Sequence, residues 1–273
     1  MSAFDDPDAG RSVTRYLGVT LREQGEEGVV VGTAPAASHL VDPTGIAHAG
    51  VLLGMVDSAG GVAAGLASLP RWIVSTNLVA RLVPSRLQGG IVLRARVLRS
   101  GRNSVVTSIE ARDDASDALL ADSVLTSAVL DPAGGPPNYA RPLVLAVPPA
   151  AEALPDPNSF YGVRPAATGV ELELHETVRN PWGILHGGVT TTVVESAVRH
   201  ALGGADVTSM VLHFLRPGRV GPVRAVARLI GTRPDGELLR VEVHDLGADD
   251  RIMAVAIVTA TPRGTPTPRG TST

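Results

Sequence analysis

The chain contains no cysteine and no lysine, and its 273 residues include only three Phe, three Tyr and two Trp. The absence of cysteine excludes disulfides and thiolate metal sites. All 24 basic residues are therefore arginine, which we attribute to a GC-rich genome rather than to function. The small number of aromatic residues argues against a pocket built on aromatic stacking, although Trp72 and Trp182 could contribute to one.

The sequence also lacks the features of several other protein classes. Its net charge of −3 indicates neither a nucleic-acid footprint nor a dominant acidic tail. Met1–Arg11 contains no apolar leader segment, and no apolar run reaches membrane-spanning length. We therefore expect a cytoplasmic protein with no nucleic-acid or membrane partner. The remaining histidines show no metal-ligand spacing, so no metal is expected: His39, His175, His200, His213 and His244.

A 16-residue pattern occurs twice, 138 residues apart. The first copy places an acid at Asp57 and reads Asp42-Pro43-x-Gly45-Ile46-x-His48-Ala49-Gly50-Val51. The second places an acid at Glu195 and reads Asn180-Pro181-x-Gly183-Ile184-x-His186-Gly187-Gly188-Val189. In both copies the histidine follows the first residue by six positions, and the acid follows the histidine by nine. Two copies in register indicate an internal duplication.

The predicted elements repeat in the same order. An apolar helix is predicted over His48–Ser68 and again over His186–Leu202. Four strands follow each helix, and strand-like runs precede it. In the first half the runs are Tyr16–Arg22 and Gly28–Thr33, and the strands are Trp72–Val83, Ile91–Leu98, Val105–Asp113 and Leu119–Leu130. In the second half the run is Val163–Val178, and the strands are Val207–Leu215, Val223–Ile230, Leu238–Asp245 and Arg251–Ala260.

This order divides the chain into five parts. We expect a disordered N-terminus (1–12), a first domain (13–131), a linker (132–158), a second domain (159–261) and a disordered tail (262–273). The linker is rich in proline and glycine, which suits a semi-extended spacer. The first helix carries glycines at positions 54, 60, 61 and 65. Each glycine costs about 0.5–1 kcal/mol in a helix, so we expect close backbone approach at these positions.

Each motif histidine opens a helix, whose first amides have no intrahelical partner and lie at the positive end of the dipole. Small residues at positions 49–50 and 187–188 let a ligand oxygen approach these amides. This arrangement suits a thioester carbonyl, whose oxygen becomes anionic when water attacks. The helix acid is then the candidate general base or nucleophile.

Helix geometry predicts that the two halves share their sites. Gly50 and Asp57 are seven residues apart, or about 10 Å along a helix. An acid therefore cannot serve the amides at the start of its own helix. The repeat predicts two hybrid sites, which join Asp57 to Asn180, His186 and Gly188, and Glu195 to Asp42, His48 and Gly50.

Both halves resemble the hotdog-fold thioesterase superfamily, specifically the phenylacetic-acid-pathway (PaaI-like) acyl-CoA thioesterases. That group carries an Asn, a His-Gly-Gly six residues later and an Asp nine residues after the His. The resemblance covers Tyr16–Leu130 and Tyr161–Thr261. It implies an α+β tandem (double) hotdog fold, in which each half is a long central helix wrapped by an antiparallel β-sheet. It also implies acyl-CoA sites between the halves and allows a homodimer of such double units.

In the family, the Asp activates water or attacks the thioester, the glycine amide after the His polarises the carbonyl, and the Asn positions the reacting groups. By position, Asn180, His186, Gly187 and Gly188 match the loop motif, and Asp57 matches the acid. We therefore hypothesise that Asp57, Asn180, His186 and Gly188 are catalytic and that Gly187 binds substrate.

The other combination departs from the family pattern. Asp42 replaces the Asn, Ala49 replaces the first Gly, and Glu195 replaces the Asp. A second carboxylate near Glu195 would repel it and raise one of the two pKa values. We hypothesise that Glu195 is the catalytic acid of this second site, with Asp42, His48 and Gly50 as its substrate-binding residues, and that the site is weak or structural.

Structural interpretations of the same residues stay open. The helix acids could be capped by an arginine or by a neighbouring hydroxyl from Ser58, Ser196, Thr191 or Thr192. The motif histidines could order their loops, and Asn180 could cap a turn. Six arginines could grip CoA phosphates or line a solvated strand face: Arg81, Arg86, Arg94, Arg96, Arg99 and Arg102.

The function predicted from these residues is acyl-CoA hydrolysis to a free acid and CoA, without a metal or redox cofactor. The alternative is a catalytically weak acyl-CoA-binding or sensing module, because a fold alone does not determine function. A hotdog enoyl-CoA hydratase would need an Asp and a His close together, and the loops show no such pair.

Overall fold

The structure is a computed structural model that describes residues 13–25, 28–131, 139, 141–147 and 153–264. The predicted disordered N-terminus lies outside these residues, as do residues 265–273 of the predicted tail and much of the predicted linker.

The first half has one long helix and six strands. Its elements are α1 (Val13–Leu17), β1 (Thr20–Glu23), β2 (Val29–Ala34), α2 (Ala49–Ser68), β3 (Trp72–Leu82), β4 (Ile91–Ser100), β5 (Ser104–Asp113) and β6 (Leu119–Leu130). The rest of the chain contributes a second long helix: β7 (Val144–Leu145), α3 (Pro157–Tyr161), β8 (Arg164–Pro165), β9 (Val170–Leu172), α4 (Gly187–Leu202), β10 (Ala205–Phe214), β11 (Val223–Arg233), β12 (Gly236–Asp245) and β13 (Arg251–Pro262).

Both predicted long helices and all eight predicted long strands are confirmed, with small differences at their ends. The strand-like runs that precede the helices are partly wrong. Tyr16–Arg22 forms the end of α1 and most of β1, because Gly18 adopts a left-handed φ of 63° between them. Val163–Val178 is broken into β8, β9 and a 3₁₀ turn, with Gly169 turning the chain at a φ of 75°.

The described strands form one antiparallel sheet, in the order β7-β1-β2-β4-β5-β6-β3-β10-β13-β12-β11-β9-β8. The two halves join where β3 pairs with β10, with Leu78 opposite Leu212. Apolar residues alternate along these strands and cover the two long helices, α2 and α4. This architecture confirms the predicted α+β double-hotdog arrangement.

The helices α2 and α4 cross at very short range. A β-carbon on Gly50 would lie 2.5 Å from Thr192 Cα, and one on Gly54 would lie 3.1 Å from Gly188 Cα. The expectation of close backbone approach is thus confirmed at Gly54, whereas side chains crowd Gly60 and Gly65. It is wrong at Gly61, where the nearest atom is 3.8 Å away.

The composition of α2 is that of a core helix. By length and composition alone its 20 residues could cross a membrane, so the prediction that no apolar run is long enough is wrong. However, 89% of its most apolar window is buried inside the protein. The core that α2 forms accounts for its apolar surface.

Residues 141–147 of the predicted linker lie on the first half, whereas α3 begins at Pro157 within the predicted linker and Asn158 accepts a hydrogen bond from Ser196 of α4. Strand β7 pairs with β1 at the edge of the sheet. Arg141 donates to the Leu66 carbonyl at 3.0 Å and pairs with Glu23 at 3.5 Å. At the other end, β13 continues to Pro262 and Arg263 forms ion pairs, so the ordered chain extends past the predicted start of the tail.

The crossing predicts opposite effects for two alanine substitutions in α2. Gly50→Ala should lower the free energy of unfolding by about 1–3 kcal/mol, because overpacking forces the two backbones apart. Gly61→Ala should raise it by about 0.5–1 kcal/mol, because alanine is the better helix former and meets no close neighbour. Urea denaturation of both variants measures this, and equal shifts in the same direction would contradict the prediction.

Candidate active site

Asp57 lies on α2 but is placed against the other half of the molecule. Its Oδ2 atom occupies the space that a β-carbon on Gly187 would take, so a side chain at position 187 would have to displace the carboxylate. Ser75 on β3 donates a hydrogen bond to Asp57 Oδ1 at 2.6 Å. Burial raises the pKa of Asp57, and the nearby His186 and the Ser75 hydroxyl only partly oppose this rise.

His186 stands at the start of α4, next to this carboxylate. Its Nδ1 accepts a hydrogen bond from Gly188 N–H at 3.0 Å, so the proton of the neutral ring lies on Nε2. Burial lowers the pKa of His186, although the charge of Asp57 opposes this. Both groups are thus displaced toward their uncharged forms. The structure brings Asp57 and His186 together across the halves, which is the combination that the predicted hybrid site contains.

Three aromatic rings pack together near Asp57: Tyr139, which interacts with its charge, and the two residues that the sequence named as possible contributors, Trp72 and Trp182. Trp72 at the start of β3 meets Trp182 edge to face, with ring centroids 5.6 Å apart. Tyr139 also packs against Trp72, with ring centroids 5.6 Å apart. Burial, and then the negative charge of Asp57, raise the pKa of Tyr139 to about 12. Each ring comes from a different part of the chain: the first half, the second half and the segment between them.

Glu195 on α4 lies at the start of α2. Its carboxylate accepts hydrogen bonds from Ala49 N–H at 3.2 Å and Gly50 N–H at 2.8 Å, and it pairs with Arg199 at 3.5 Å. This carboxylate therefore occupies the positive end of the opposite helix. A small pocket opens beside it, with apolar walls that include Leu52.

Asp42 is neutralised by an arginine that the sequence had not indicated. Its Oδ2 pairs with Arg263 at 2.5 Å, and its Oδ1 accepts from Thr44 N–H at 2.8 Å. Burial raises the pKa of Asp42, but the bonds from Thr44 and Arg263 outweigh it and hold the pKa at about 2. The expectation that repulsion raises the pKa is thus wrong for Asp42, because its ion pair with Arg263 stabilises the charged carboxylate. Arg263 also binds Asp206 at 3.0 Å and lines the pocket beside Glu195.

The remaining motif residues have structural contacts. Asn180 Oδ1 accepts from Trp182 N–H at 2.9 Å and Ile184 N–H at 3.3 Å, which is the turn-capping arrangement. Asp42 Oδ1 caps the first-half loop in the same way. His48, unlike His186, makes no side-chain bond to the start of its helix. These contacts order the loops, and a catalytic role for Asn180 stays a prediction.

Among the described residues, none of the neighbouring hydroxyls proposed as caps donates a hydrogen bond to Asp57 or Glu195. Ser58 donates to the Gly54 carbonyl, Thr191 to Gly50 and Gly188, and Ser196 to Thr192 and Asn158. The residue that binds Asp57 is Ser75, which the sequence analysis missed. The six arginines considered for CoA binding are all exposed. Within the described residues, no three His, Asp or Glu side chains are grouped as metal ligands would be.

Comparison with known families decides the relationship. Residues 44–118 match the family model described as thioesterase superfamily, and residues 176–261 match the one described as acyl-CoA thioesterase N-terminal domain. Together the matches span more than half of the chain, and each contains one helix acid. The chain belongs to the hotdog-fold thioesterase superfamily. This thioesterase is therefore a tandem protein that hydrolyses acyl thioesters.

Solved structures share the double fold across most of this thioesterase. The 12:0-ACP thioesterase from Umbellularia californica is 12% identical with a TM-score of 0.62, over 86% of this chain and 95% of that one. An acyl-ACP thioesterase from Bacteroides thetaiotaomicron is 12% identical with a TM-score of 0.58, over 87% and 100%. The TesB protein of Mycobacterium avium subsp. paratuberculosis is 12% identical with a TM-score of 0.59, over 91% and 97%. Comparison with curated proteins gives no match.

The ion pair between Asp42 and Arg263 predicts that the variant Arg263→Gln loses stability in a pH-dependent way. The folded-state pKa of Asp42 is about 2, below its ordinary 3.8, so its contribution is present above pH 3.8 and is lost as the pH falls toward 2. We expect the variant to lose roughly 1–3 kcal/mol at neutral pH, since a buried acceptor is left without its partner. The gap to the wild type should close between pH 4 and pH 2, as measured by urea denaturation.

Arg233→Gln is the control for this measurement, because Arg233 pairs with Asp235 on the exposed surface. A gap for Arg263→Gln that stays constant over the acid range would show that Asp42 does not carry the effect.

Proposed function

We propose that this thioesterase hydrolyses acyl-CoA at the site of Asp57, with this carboxylate as general base or nucleophile. The observation that supports it is the contact between Asp57 of one half and Gly187, the first residue of α4 in the other half. A thioester carbonyl that reaches the start of α4 would lie beside the carboxylate. The family match of the second half, described as an acyl-CoA thioesterase domain, favours CoA as the carrier.

The reaction needs only the thioester, water and the groups of this site. Asp57 takes a proton from water as the water oxygen bonds to the carbonyl carbon, or attacks that carbon itself. The carbonyl oxygen becomes an oxyanion, which the amides at the start of α4 stabilise. The carbon–sulfur bond then breaks, and the sulfur takes the proton that Asp57 accepted from water, so that the free acid and CoA leave. Where Asp57 attacks the carbon itself, cleavage leaves a mixed anhydride on Asp57. Water then hydrolyses this anhydride to the free acid and the Asp57 carboxylate, and a proton of that water goes to the sulfur.

Hydrogen bonding distinguishes the two acids as bases. Among the described residues, Asp57 receives one hydrogen bond, from Ser75, whereas Glu195 receives three, from Ala49, Gly50 and Arg199. Hydrogen bonds to a carboxylate stabilise its charged form and weaken it as a base. We therefore assign catalysis to Asp57 and a largely structural part to Glu195.

His186 controls one of the amides that the reaction requires. Gly188 N–H donates to His186 Nδ1 in this structure, so a carbonyl oxygen must replace the ring nitrogen as the acceptor. Rotation of the imidazole would release this amide. In our proposal His186 and Asn180 are positioning residues, and the proton of water goes to Asp57.

The proximity of Asp57 and His186 also keeps enoyl-CoA hydration as a second candidate. Hydration adds water across a carbon–carbon double bond and releases no thiol. Release of free CoA therefore separates the two reactions on the same substrate.

Substitution of the two acids tests the proposal. Asp57→Asn should lower kcat/KM for acyl-CoA by roughly 10²–10⁴-fold, the usual contribution of a general base. Glu195→Gln should cost much less, because its carboxylate is not assigned to the chemistry. Free-thiol release from short, medium, long and aromatic acyl-CoAs measures both variants.

These substitutions replace an oxygen by a nitrogen and keep the side-chain volume, and urea denaturation verifies that each variant is folded. Loss of turnover in Glu195→Gln with Asp57→Asn intact would reverse the assignment. Loss of enoyl absorbance without thiol release would favour the hydratase.

Ser75 should tune the pH dependence of the reaction. Its hydroxyl stabilises the charged form of Asp57, so Ser75→Ala should raise the pKa of this carboxyl further. The base is active only when ionised. The acidic limb of the kcat/KM profile should therefore move to higher pH, with less change on the alkaline plateau. An unshifted limb would mean that another group titrates there.

A further inference from the structure

Beyond Asp57, the face of α2 that carries this residue is lined by two glycines, Gly61 and Gly65. Asp57, Gly61 and Gly65 are four residues apart, so they lie on one face of the helix. A β-carbon on Gly61 would meet a single atom within 4 Å, Ile73 Cδ1 at 3.8 Å. Gly61 is also half-buried within a mostly buried helix. One helical turn beyond the carboxylate, the helix backbone is therefore partly exposed, and a side chain there would begin to touch only Ile73.

Tyr139 closes the far end of this face. Its ring packs directly on Gly65, where a β-carbon would lie 2.6 Å from the ring atom Cε2. Trp72 lies against the ring, and the charge of Asp57 acts on the phenol. The space between the carboxylate and the Tyr139 ring therefore has glycine on one side and the apolar groups of Ile73 and Trp72 beside it. We call this space the Gly61 groove.

The second half provides an internal comparison. With the repeat offset of 138 residues, the counterpart of Gly61 is Arg199, which pairs with Glu195 at 3.5 Å. The position that is empty beside Asp57 is thus occupied by a charged side chain beside Glu195. At this position the two acids therefore have different neighbours: the bare backbone of Gly61 beside Asp57 and a guanidinium beside Glu195.

We propose that the Gly61 groove receives the acyl group of the substrate and that Tyr139 sets the upper limit of its length. The proposal rests on the function assigned to Asp57 above. Asp57 and Gly65 are eight residues apart, or about 12 Å along the helix, and the Tyr139 ring already covers Gly65. The groove that remains fits a short acyl group. Tyr139 lies outside both predicted domains, so a residue that belongs to neither half supplies a wall of the site.

Three substitutions test this assignment on a series of straight-chain acyl-CoAs from acetyl to dodecanoyl. Tyr139→Ala should raise kcat/KM for the longer chains at least tenfold relative to acetyl-CoA, since each methylene that finds room in an apolar pocket is worth about 10-fold or more. Gly61→Leu should shift the preference toward the shortest chains by filling the groove. Tyr139→Phe keeps the ring and should leave the length profile unchanged.

Two outcomes would overturn the assignment. An equal effect of Tyr139→Ala on every chain length would show that Tyr139 does not limit length. The same series made as acyl-pantetheine thioesters identifies which end of the substrate the groove takes. A change that is present with acyl-CoA and lost with acyl-pantetheine would assign the groove to the CoA portion.

Equilibrium binding separates this inference from the proposed reaction. Alkyl-CoA thioethers of increasing length cannot be hydrolysed, so their dissociation constants report the groove without turnover. If the wild type hydrolyses none of the esters but Tyr139→Ala tightens the longer thioethers, the reaction assignment fails and the groove stands. If Tyr139→Ala does not change how the dissociation constants of the thioethers depend on chain length, the groove proposal fails, whether or not the enzyme is active.

Discussion

The short-range crossing of α2 and α4 is the contact on which the remaining geometry depends. Gly50 and Gly54 of one helix lie against Thr192 and Gly188 of the other, at distances that leave no room for a side chain. Only at such a separation can the carboxylate on one helix reach the first amides of the other. The motif glycines therefore have a packing function and a site function at once.

The crossing places both acids in similar positions, but their surroundings differ. Glu195 lies on helix amides and an arginine, which stabilise a negative charge strongly. Asp57 has the Ser75 hydroxyl and a neighbouring imidazole whose own pKa is lowered by burial. A carboxylate that is less stabilised is the more reactive base, and this difference in local electrostatics supports the ranking of the two sites.

The sequence was sufficient where the information is local or repeated. The apolar pattern of α2 and α4, the alternation in the long strands and the two motif copies predicted the fold and the exchange of acids between the halves. The distance argument from Gly50 to Asp57 uses only helix rise, so it needed no structure.

The sequence was insufficient where a contact joins distant segments. Ser75 reaches Asp57 because β3 returns beside α2, and Arg263 reaches Asp42 from the far end of the chain. Neither residue belongs to a motif. For the same reason the repulsion argument about Asp42 failed: it counted charges along the motif and omitted a cation that only the fold supplies.

The replacement of Gly61 by Arg199 at the equivalent position has an evolutionary consequence. Two identical subunits related by a two-fold axis must carry the same residue at both equivalent places, so any change affects both centres together. Fusion of the halves into one polypeptide removes that constraint. One copy can then keep the reactive carboxylate while the other acquires charges that strengthen the scaffold, a division of labour that a symmetric dimer of identical chains cannot adopt.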